Sequence, residues 1–460
     1  MKSTADMSQL PEDFITVVAT NFGVTKTELD ALVLALNDYS GAEIATKLKI
    51  SQPAVRKRLG ESYRKLGIEG SSNKKIHNLK QKLSAQYQAT YEHNIAPRKD
   101  WGEAVDVEGF RGRKEEILEL EQWIVGNGSN RCRLVAILGM GGIGKTVLAA
   151  MVAKKVQHEF DYLIWRSLRN APPVGDILTQ LLHFLPKDTE LNLTDSDNNK
   201  ILQLIDVLRK NRCLIIFDNV ESVLRSSKGK THEWAGEYEP GFEHYGYMFK
   251  KIAEGAHESC LLLTSREKPK EVAALEGKNL PVKVLQLSSL NLAEAKELLH
   301  DKGCFFNAQE LQQLVERYSG NPLALKIVAT TVYDLFSNDI KEFLSQIQDT
   351  SAVYGDIRIL LDQQFNRLSE LEKEVMYCLA THRQYVSLTE LKEDWMTTES
   401  AIKILEILES LLRRSLIEKE ADASRFGLQS VVMEYMTERL NEHTVQEIIK
   451  KNSALSMPIP

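Results

Sequence analysis

Cysteine is scarce: five residues (Cys132, Cys213, Cys260, Cys304 and Cys378) lie scattered along 460 positions, and none belongs to a Cys-x-x-Cys pair. That fits buried free thiols in a reducing compartment, not a disulfide or zinc framework. The N-terminus lacks an apolar signal core and no apolar run reaches membrane-spanning length, so the prediction is a cytoplasmic protein with no membrane partner. His232, His244 and His257 lack metal-ligand spacing and read as surface or packing residues. No internal repeat recurs at a solenoid or propeller period. Net charge is only −6, which leaves no global polyelectrolyte role. The charge is nevertheless uneven. Residues 40–82 hold eleven Lys and Arg against three Glu, a local +8, and the remainder carries −14.

What is present is a phosphate-binding signature. Leu134–Leu138 is an apolar run of strand type, and a helical pattern starts near Lys145. Between them Gly139, Met140, Gly141, Gly142, Ile143, Gly144, Lys145 and Thr146 fit Gly-x-x-x-x-Gly-Lys-Thr at every fixed position. Glycines let successive backbone N–H groups turn toward phosphate oxygens, and the helix N-terminus adds a positive dipole end. Lys145 supplies a point charge for the β- and γ-phosphates of a nucleotide, and Thr146 a hydroxyl for Mg2+. A glycine-rich turn without a ligand is the bland alternative.

Four more apolar runs follow at 162–167, 213–217, 260–264 and 282–287, with helical patterns between them. Alternation of this kind predicts a doubly wound parallel α/β sheet with its ligand at the strands' C-terminal ends. Cys213–Phe217 ends in Asp218, placed to hold Mg2+ directly or through water, or else to cap the next turn. Asn219 follows where a second acid would activate water. Asn can orient water but cannot take its proton, so hydrolysis is predicted to be slow. Arg266, after Leu261–Ser265, is placed to read a γ-phosphate through charge-assisted hydrogen bonds, or is a surface arginine at a strand end. Segments 186–199 and 226–247 read as insertions.

Upstream, Ser40-Gly-Ala-Glu43 is a capping-box signature, and Ser51 with Pro53 opens a second short helix. Val55, Leu59, Tyr63 and Leu66 share one face of that helix. Lys57, Arg58, Arg64 and Lys65 take the other, with Arg56 at the edge. The stretch EIATKLKISQPAVRKRLGESYRKLGI resembles the helix-turn-helix of LuxR-type regulators, with Lys49 in place of a turn glycine. Arg56, Lys57 and Arg58 are the candidate DNA contacts; the alternative is a helical adaptor whose charges are merely solvated. Residues 71–96 read as a basic helix plus linker. Beyond 289 helical patterns dominate, including one opened by Ser319-Gly-Asn-Pro322-Leu-Ala-Leu325. A strand pair near 415–419 and 425–428 within helices 368–440 reads as a winged helix.

Taken in order, Phe110–Glu116, Gly139–Thr146, Phe160–Arg169, Leu214–Asp218, Leu262–Arg266 and Gly320–Leu325 together resemble an NB-ARC ATPase module, of the signal-transducing STAND class. The whole arrangement is similar to cyanobacterial NB-ARC proteins that often continue into β-propeller repeats. The resemblance implies five parts: a helix-turn-helix-like all-α domain with a basic linker helix (1–95), a P-loop NTPase core (100–288), a helical domain (289–365), a winged-helix domain (366–440) and a tail (441–460). It implies that Arg113 lies near the nucleotide, that the phosphate loop binds the β-phosphate, and that Thr146 and Asp218 serve Mg2+. It further implies that Arg266 senses the γ-phosphate and that Pro322 packs on adenine. Gln429 stands where the family often has a histidine on the ADP phosphate. The expected function is an ATP/ADP switch, locked by ADP and self-associating with ATP, in bacterial stress or defence signalling. Lys145, Asp218 and Arg266 would carry its slow Mg2+-dependent hydrolysis. The alternative is a nucleotide-gated, DNA-binding transcription regulator. No sensor repeat follows residue 440, so either a separate partner senses the signal or the chain is a shortened member.

Overall fold

A computed structural model describes residues 12–455 except 38, 69–74, 84–97, 127–130, 187–195, 228–234, 348–352, 395–400 and 421–423. The chain divides into two compact units, 1–97 and 98–460.

Among its described residues the first unit is helical: α1 (Glu12–Asn21), α2 (Lys26–Leu36), α3 (Gly41–Leu48), α4 (Gln52–Lys65) and α5 (75–83). The capping box forms as the sequence predicts. Ser40 N donates to Glu43 Oε2 at 2.8 Å, and Glu43 N donates back to Ser40 Oγ at 3.4 Å. Ser51 caps α4 by accepting from Ala54 N. Val55, Tyr63 and Leu66 are buried on the inner face. The basic face is less open than its spacing predicts. Arg56 and Lys57 are exposed, but Arg58 is half-buried and reaches Thr27 O, while Lys65 pairs with Glu28 at 2.6 Å. Of the predicted helix and linker at 71–96, residues 75–83 are α5; 71–74 and 84–96 lie outside the described residues.

Lys49 ends α3 in the left-handed region, at φ 52°. A side chain there costs on the order of 1 kcal/mol, against a smaller entropic loss for glycine. Lys49→Gly is therefore expected to stabilise this unit by about 0.5–1 kcal/mol. Native-state hydrogen exchange of amides in α3 and α4 reads this directly, and slower exchange is the expected result.

The second unit is built on a six-stranded, all-parallel sheet, in the order β1-β3-β4-β5-β2-β6. Its strands are β1 (Arg98–Asp100), β2 (Leu134–Leu138), β3 (Tyr162–Ser167), β4 (Cys213–Asp218), β5 (Cys260–Ser265) and β6 (Val282–Gln286). β2, β4 and β5 are buried along their whole length, which is why each reads as a continuous apolar run. Their side chains alternate between two cores. Leu134, Ala136 and Leu138 pack with α8 (Val174–Phe184), α9 (Asp197–Lys210) and α10 (Glu243–Glu254). Val135 and Ile137 pack with α6 (Lys114–Val125) and α7 (Lys145–Val156). β1 has no apolar residue to betray it. Arg98, Lys99 and Asp100 form a charged edge strand, a composition that discourages further pairing.

The segment 226–247, read as an insertion, contributes to the core. Among its described residues Tyr238 and Tyr245 are buried, and Tyr245 joins Phe217 and Phe249 in the core. Residues 228–234 lie outside the described residues, and 243–247 begin α10. Most of 186–199, and His232, lie outside the described residues, while 197–199 begin α9.

After α11 (Lys270–Leu275) and β6, the described residues form nine helices: α12 (Leu292–Asp301), α13 (Ala308–Arg317), α14 (Pro322–Phe336), α15 (Ile340–Gln346), α16 (Gly355–Phe365), α17 (Glu370–His382), α18 (Leu388–Asp394), α19 (Ala401–Arg413) and α20 (Ser430–Leu455). A small antiparallel sheet in the order β7-β9-β8 sits among them, formed by β7 (Val386–Ser387), β8 (Glu418–Lys419) and β9 (Arg425–Gly427). One apolar core runs through this region from Leu290 to Met436. The predicted tail from 441 instead continues α20 to Leu455, and residues 456–460 lie outside the described residues.

Candidate functional site

The phosphate loop joins β2 to α7 at the C-terminal edge of the sheet, where strand order places β2 between β5 and β6. Gly142 has φ +77°, and a Cβ there would stand 2.8 Å from Leu323 Cβ, so both backbone and space demand glycine. Gly144 caps α7 with φ +101°. Met140 and Ile143 have buried side chains, which leaves only their backbones to face a phosphate; Met140 packs into the C-terminal helical core. Lys145 is buried, and its Nζ donates to Gly139 O at 2.8 Å and Met140 O at 3.0 Å. Burial pulls its ammonium down to about 8, against the opposing pull of Glu221. A phosphate in the loop would restore the charge that burial disfavours.

Thr146 and Asp218, both expected at Mg2+, lie within hydrogen-bond reach of each other. Thr146 Oγ1 donates to Asp218 Oδ1 at 2.8 Å, and Thr264 Oγ1 donates to the same oxygen. Burial raises the Asp218 carboxyl, partly offset by these two hydroxyls. A hydroxyl and a carboxylate at the mouth of a phosphate loop are the hard oxygen donors that Mg2+ takes. Asn219, left-handed at φ 62°, is held through its N–H to Thr264 Oγ1 at 3.1 Å.

Arg266 lies along the loop: a Cβ on Gly141 would sit 3.5 Å from its Cζ. Its Nε is 3.2 Å from Glu221 Oε1, and its backbone N donates to Glu221 Oε2 at 3.1 Å. Sequence reasoning leaves Glu221 unplaced, because it lies in a single 3-10 turn, 220–223, with no periodicity to orient it.

Asn321 escapes sequence reasoning as well. It caps α14, and its Nδ2 donates to Gly141 O at 3.1 Å while Leu323 N donates to Gly142 O at 3.3 Å. Pro322, first residue of α14, is thereby brought beside the loop. Arg113 is engaged by protein groups: its Nη2 donates to Ser288 O at 2.6 Å and its Nη1 to Glu116 Oε1 at 2.8 Å. Gln429 donates through Nε2 to Glu418 Oε1 and lines a cavity of about 590 Å³ shared with Leu138, Met140 and Ser288. Of the residues predicted for the nucleotide, Thr146 meets Asp218, Arg266 and Pro322 stand beside the loop, and Gln429 shares a cavity with Met140. Arg56, Lys57 and Arg58 belong to the other compact unit.

A second cavity, of about 630 Å³, is lined by Arg266, Asn219, Glu221, Gln364, Arg367 and Arg414 among others. Beneath it runs a buried ionic network. Glu267 Oε1 lies 2.6 Å from Arg367 Nε and 2.9 Å from Arg414 Nη1. Arg414 Nε is 3.1 Å from Glu372 Oε1, and its Nη2 donates to Ser227 Oγ at 2.8 Å. Arg414, Glu267 and Glu372 are each less than 5% exposed. Arg367 also donates to Glu221 O and Leu224 O.

The NB-ARC domain model matches residues 113–226. An uncharacterized WD repeat-containing protein of Nostoc is 46% identical over 361 residues, covering 76% of this chain and 28% of that protein. A probable disease resistance protein of Arabidopsis thaliana is 24% identical over 353 residues, covering 69% of this chain and 36% of that protein. The chain thus spans about a third or less of the length of these two relatives. Among solved structures, a Walker-type ATPase of Pyrococcus abyssi aligns with 73% of this chain and 98% of its own, at 14% identity and a TM-score of 0.48. Among the described residues no helix is long and apolar enough to cross a membrane. With its phosphate loop, Asp218 and Arg266 set around one sheet edge, this chain carries an NB-ARC domain, a nucleotide-binding P-loop module.

Proposed function

We propose that the chain is an ATP/ADP switch in which the C-terminal region, 289–455, docks over the nucleotide core and is released when ADP gives way to ATP. One observation carries this reading: Arg266 and Glu267 are consecutive. Arg266 lies against the phosphate loop, and Glu267 holds Arg367 and Arg414 of the docked region. A group that reads the γ-phosphate and a group that grips the C-terminal region therefore share one peptide bond. ADP, without a γ-phosphate, leaves Arg266 to Glu221; a γ-phosphate competes for it. Residues 366–440, with their three-stranded sheet, act in this reading as a winged helix that contributes Gln429 to the nucleotide's enclosure.

Thr146 and Asp218 would hold Mg2+, which supplies charge neutralisation to the β- and γ-phosphates. Lys145 and the loop N–H groups bind and orient the phosphates. Asn219 positions water without accepting its proton. Asn219→Asp is expected to raise the single-turnover rate of ATP cleavage at least tenfold, within the range a positioned base contributes. Rapid-quench measurement decides it: an unchanged rate would remove Asn219 as the brake.

A switch driven from almost wholly closed to almost wholly open needs about 5.5 kcal/mol of differential affinity between its nucleotides. The test is to identify the nucleotide that copurifies and to measure mass by light scattering in ADP and in a non-hydrolysable ATP analogue. ADP with a monomer, and a larger species with the analogue, is the expected result. One mass and one protease-cleavage pattern in both nucleotides would overturn the switch.

A further inference from the structure

Four of the five cysteines are buried at 2% exposure or less, and Cys378 alone among them is partly accessible. It lies on α17 four residues before His382, the spacing that sets two side chains on one helix face. Arg383, left-handed at φ 54°, then stops the helix, and β7 pairs with β9. Ser387 and Glu390 cap the start of α18 through reciprocal hydrogen bonds of 2.6 and 3.2 Å. This short α–β–α path returns Asp394, the last residue of α18, to the end of α17, where its Oδ2 is 2.5 Å from His382 Nε2. The donor atoms of Cys378, His382 and Asp394 all lie within 4.8 Å of one another.

We propose that Cys378, His382 and Asp394 form a zinc-binding site in the C-terminal region, separate from the oxygen donors Thr146 and Asp218. A sulfur, an imidazole nitrogen and a carboxylate oxygen are the ligand types of Zn2+, and a thiolate disfavours Mg2+ or Ca2+. Tetrahedral zinc at its usual bond lengths holds such donors about 3.3–3.8 Å apart, a modest rotamer adjustment from their present spread. His382 and Asp394 are 28% and 46% exposed, which gives an ion a way in. Three protein donors leave the fourth position to water. Binding replaces the Cys378 S–H bond with S–Zn, and the proton leaves to solvent. The hydrogen bond between His382 and Asp394 gives way to two metal bonds, any proton on the ligating ring nitrogen leaving to solvent, so α17 and α18 become fastened through the metal.

Co2+ titration of the full chain, loaded with Mg2+ and ADP, tests this. One equivalent is expected to bind at micromolar concentration with a thiolate-to-cobalt charge-transfer band that Zn2+ abolishes. Cys378→Ser should lose the band, and His382→Ala should weaken uptake at least tenfold. Absence of the band in the wild-type protein, or the same band in Cys378→Ser, would overturn the site. A second readout needs no variant: Zn2+ should protect one thiol from alkylation, mapped to the Cys378 peptide. Equal alkylation with and without Zn2+ would refute the site independently of any folding defect.

Discussion

Lys145→Ala is expected to weaken ADP binding by at least a hundredfold without unfolding the protein. A hydrogen bond to a charged group contributes about 1.5–3 kcal/mol, and the lysine is placed to reach more than one phosphate oxygen. Two such bonds amount to at least about 3 kcal/mol, and about 1.4 kcal/mol is tenfold in affinity. The free protein has little to lose, because Lys145 is a buried ammonium whose described partners are two loop carbonyls, Gly139 O and Met140 O. Removing it relieves a desolvation cost, so the thermal midpoint of the nucleotide-free chain should hold or rise. Saturating ADP at a thousandfold excess should stabilise the wild-type protein by about 4 kcal/mol and the variant far less. Calorimetry on both proteins, with thermal unfolding as the control for fold, measures the two halves. Retained affinity within threefold of wild type would sink the assignment of the phosphate loop.

Arg414→Met should open the docked state. Arg414 is 2% exposed and stands between Glu267 and Glu372, at 2.9 and 3.1 Å. Removing one partner of a buried ion pair costs about 3–5 kcal/mol, because the carboxylates left behind remain dry and unpaired. Glu267 keeps Arg367 and Glu372 keeps the Ser410 hydroxyl at 2.5 Å, while the bonds Arg414 makes across to Glu267 and Ser227 of the core are lost. On the switch reading, release of a fluorescent ADP analogue accelerates by two to three orders of magnitude, and the chain becomes sensitive to protease between α11 and α12. The triple variant Glu267→Gln, Glu372→Gln, Arg414→Met is the control. Neutral groups of similar volume tolerate burial, so docking and slow release should return. Fast release that persists in the triple variant would indicate damage to the fold, and unchanged release in Arg414→Met would remove the network from the mechanism.

Where a residue's environment is dictated by near neighbours in the chain, the sequence is legible. The strands β2, β4 and β5 are buried on both faces and so are written as apolar runs. The Ser40–Glu43 box is complete within four residues, and the phosphate loop is a local backbone device. Thr146 and Asp218, 72 residues apart, can be paired from sequence only because each ends a recognisable element. What fails to show has no such frame. β1 is a strand by virtue of pairing with β3, since its own residues are all charged. Glu267, Arg367, Glu372 and Arg414 are charged residues in helical or loop patterns, and each reads as solvated until the fold buries it. Asn321 looks like a helix cap, which it is, while its second hydrogen bond crosses 180 residues to Gly141. Cys378 escapes because a cysteine-to-cysteine search overlooks a Cys–His pair at helical spacing whose third donor arrives from the next helix.

The peptide bond between Arg266 and Glu267 carries one further consequence. Coupling between two binding events is reciprocal: whatever factor the nucleotide imposes on docking, docking imposes on the nucleotide. On the switch reading the joint therefore has no privileged input: a molecule that pulls 289–455 away from Glu267 would eject ADP as surely as nucleotide exchange would loosen that region. A search for the activating signal can thus run backwards, with loss of bound ADP as the reporter, whichever surface the signal touches.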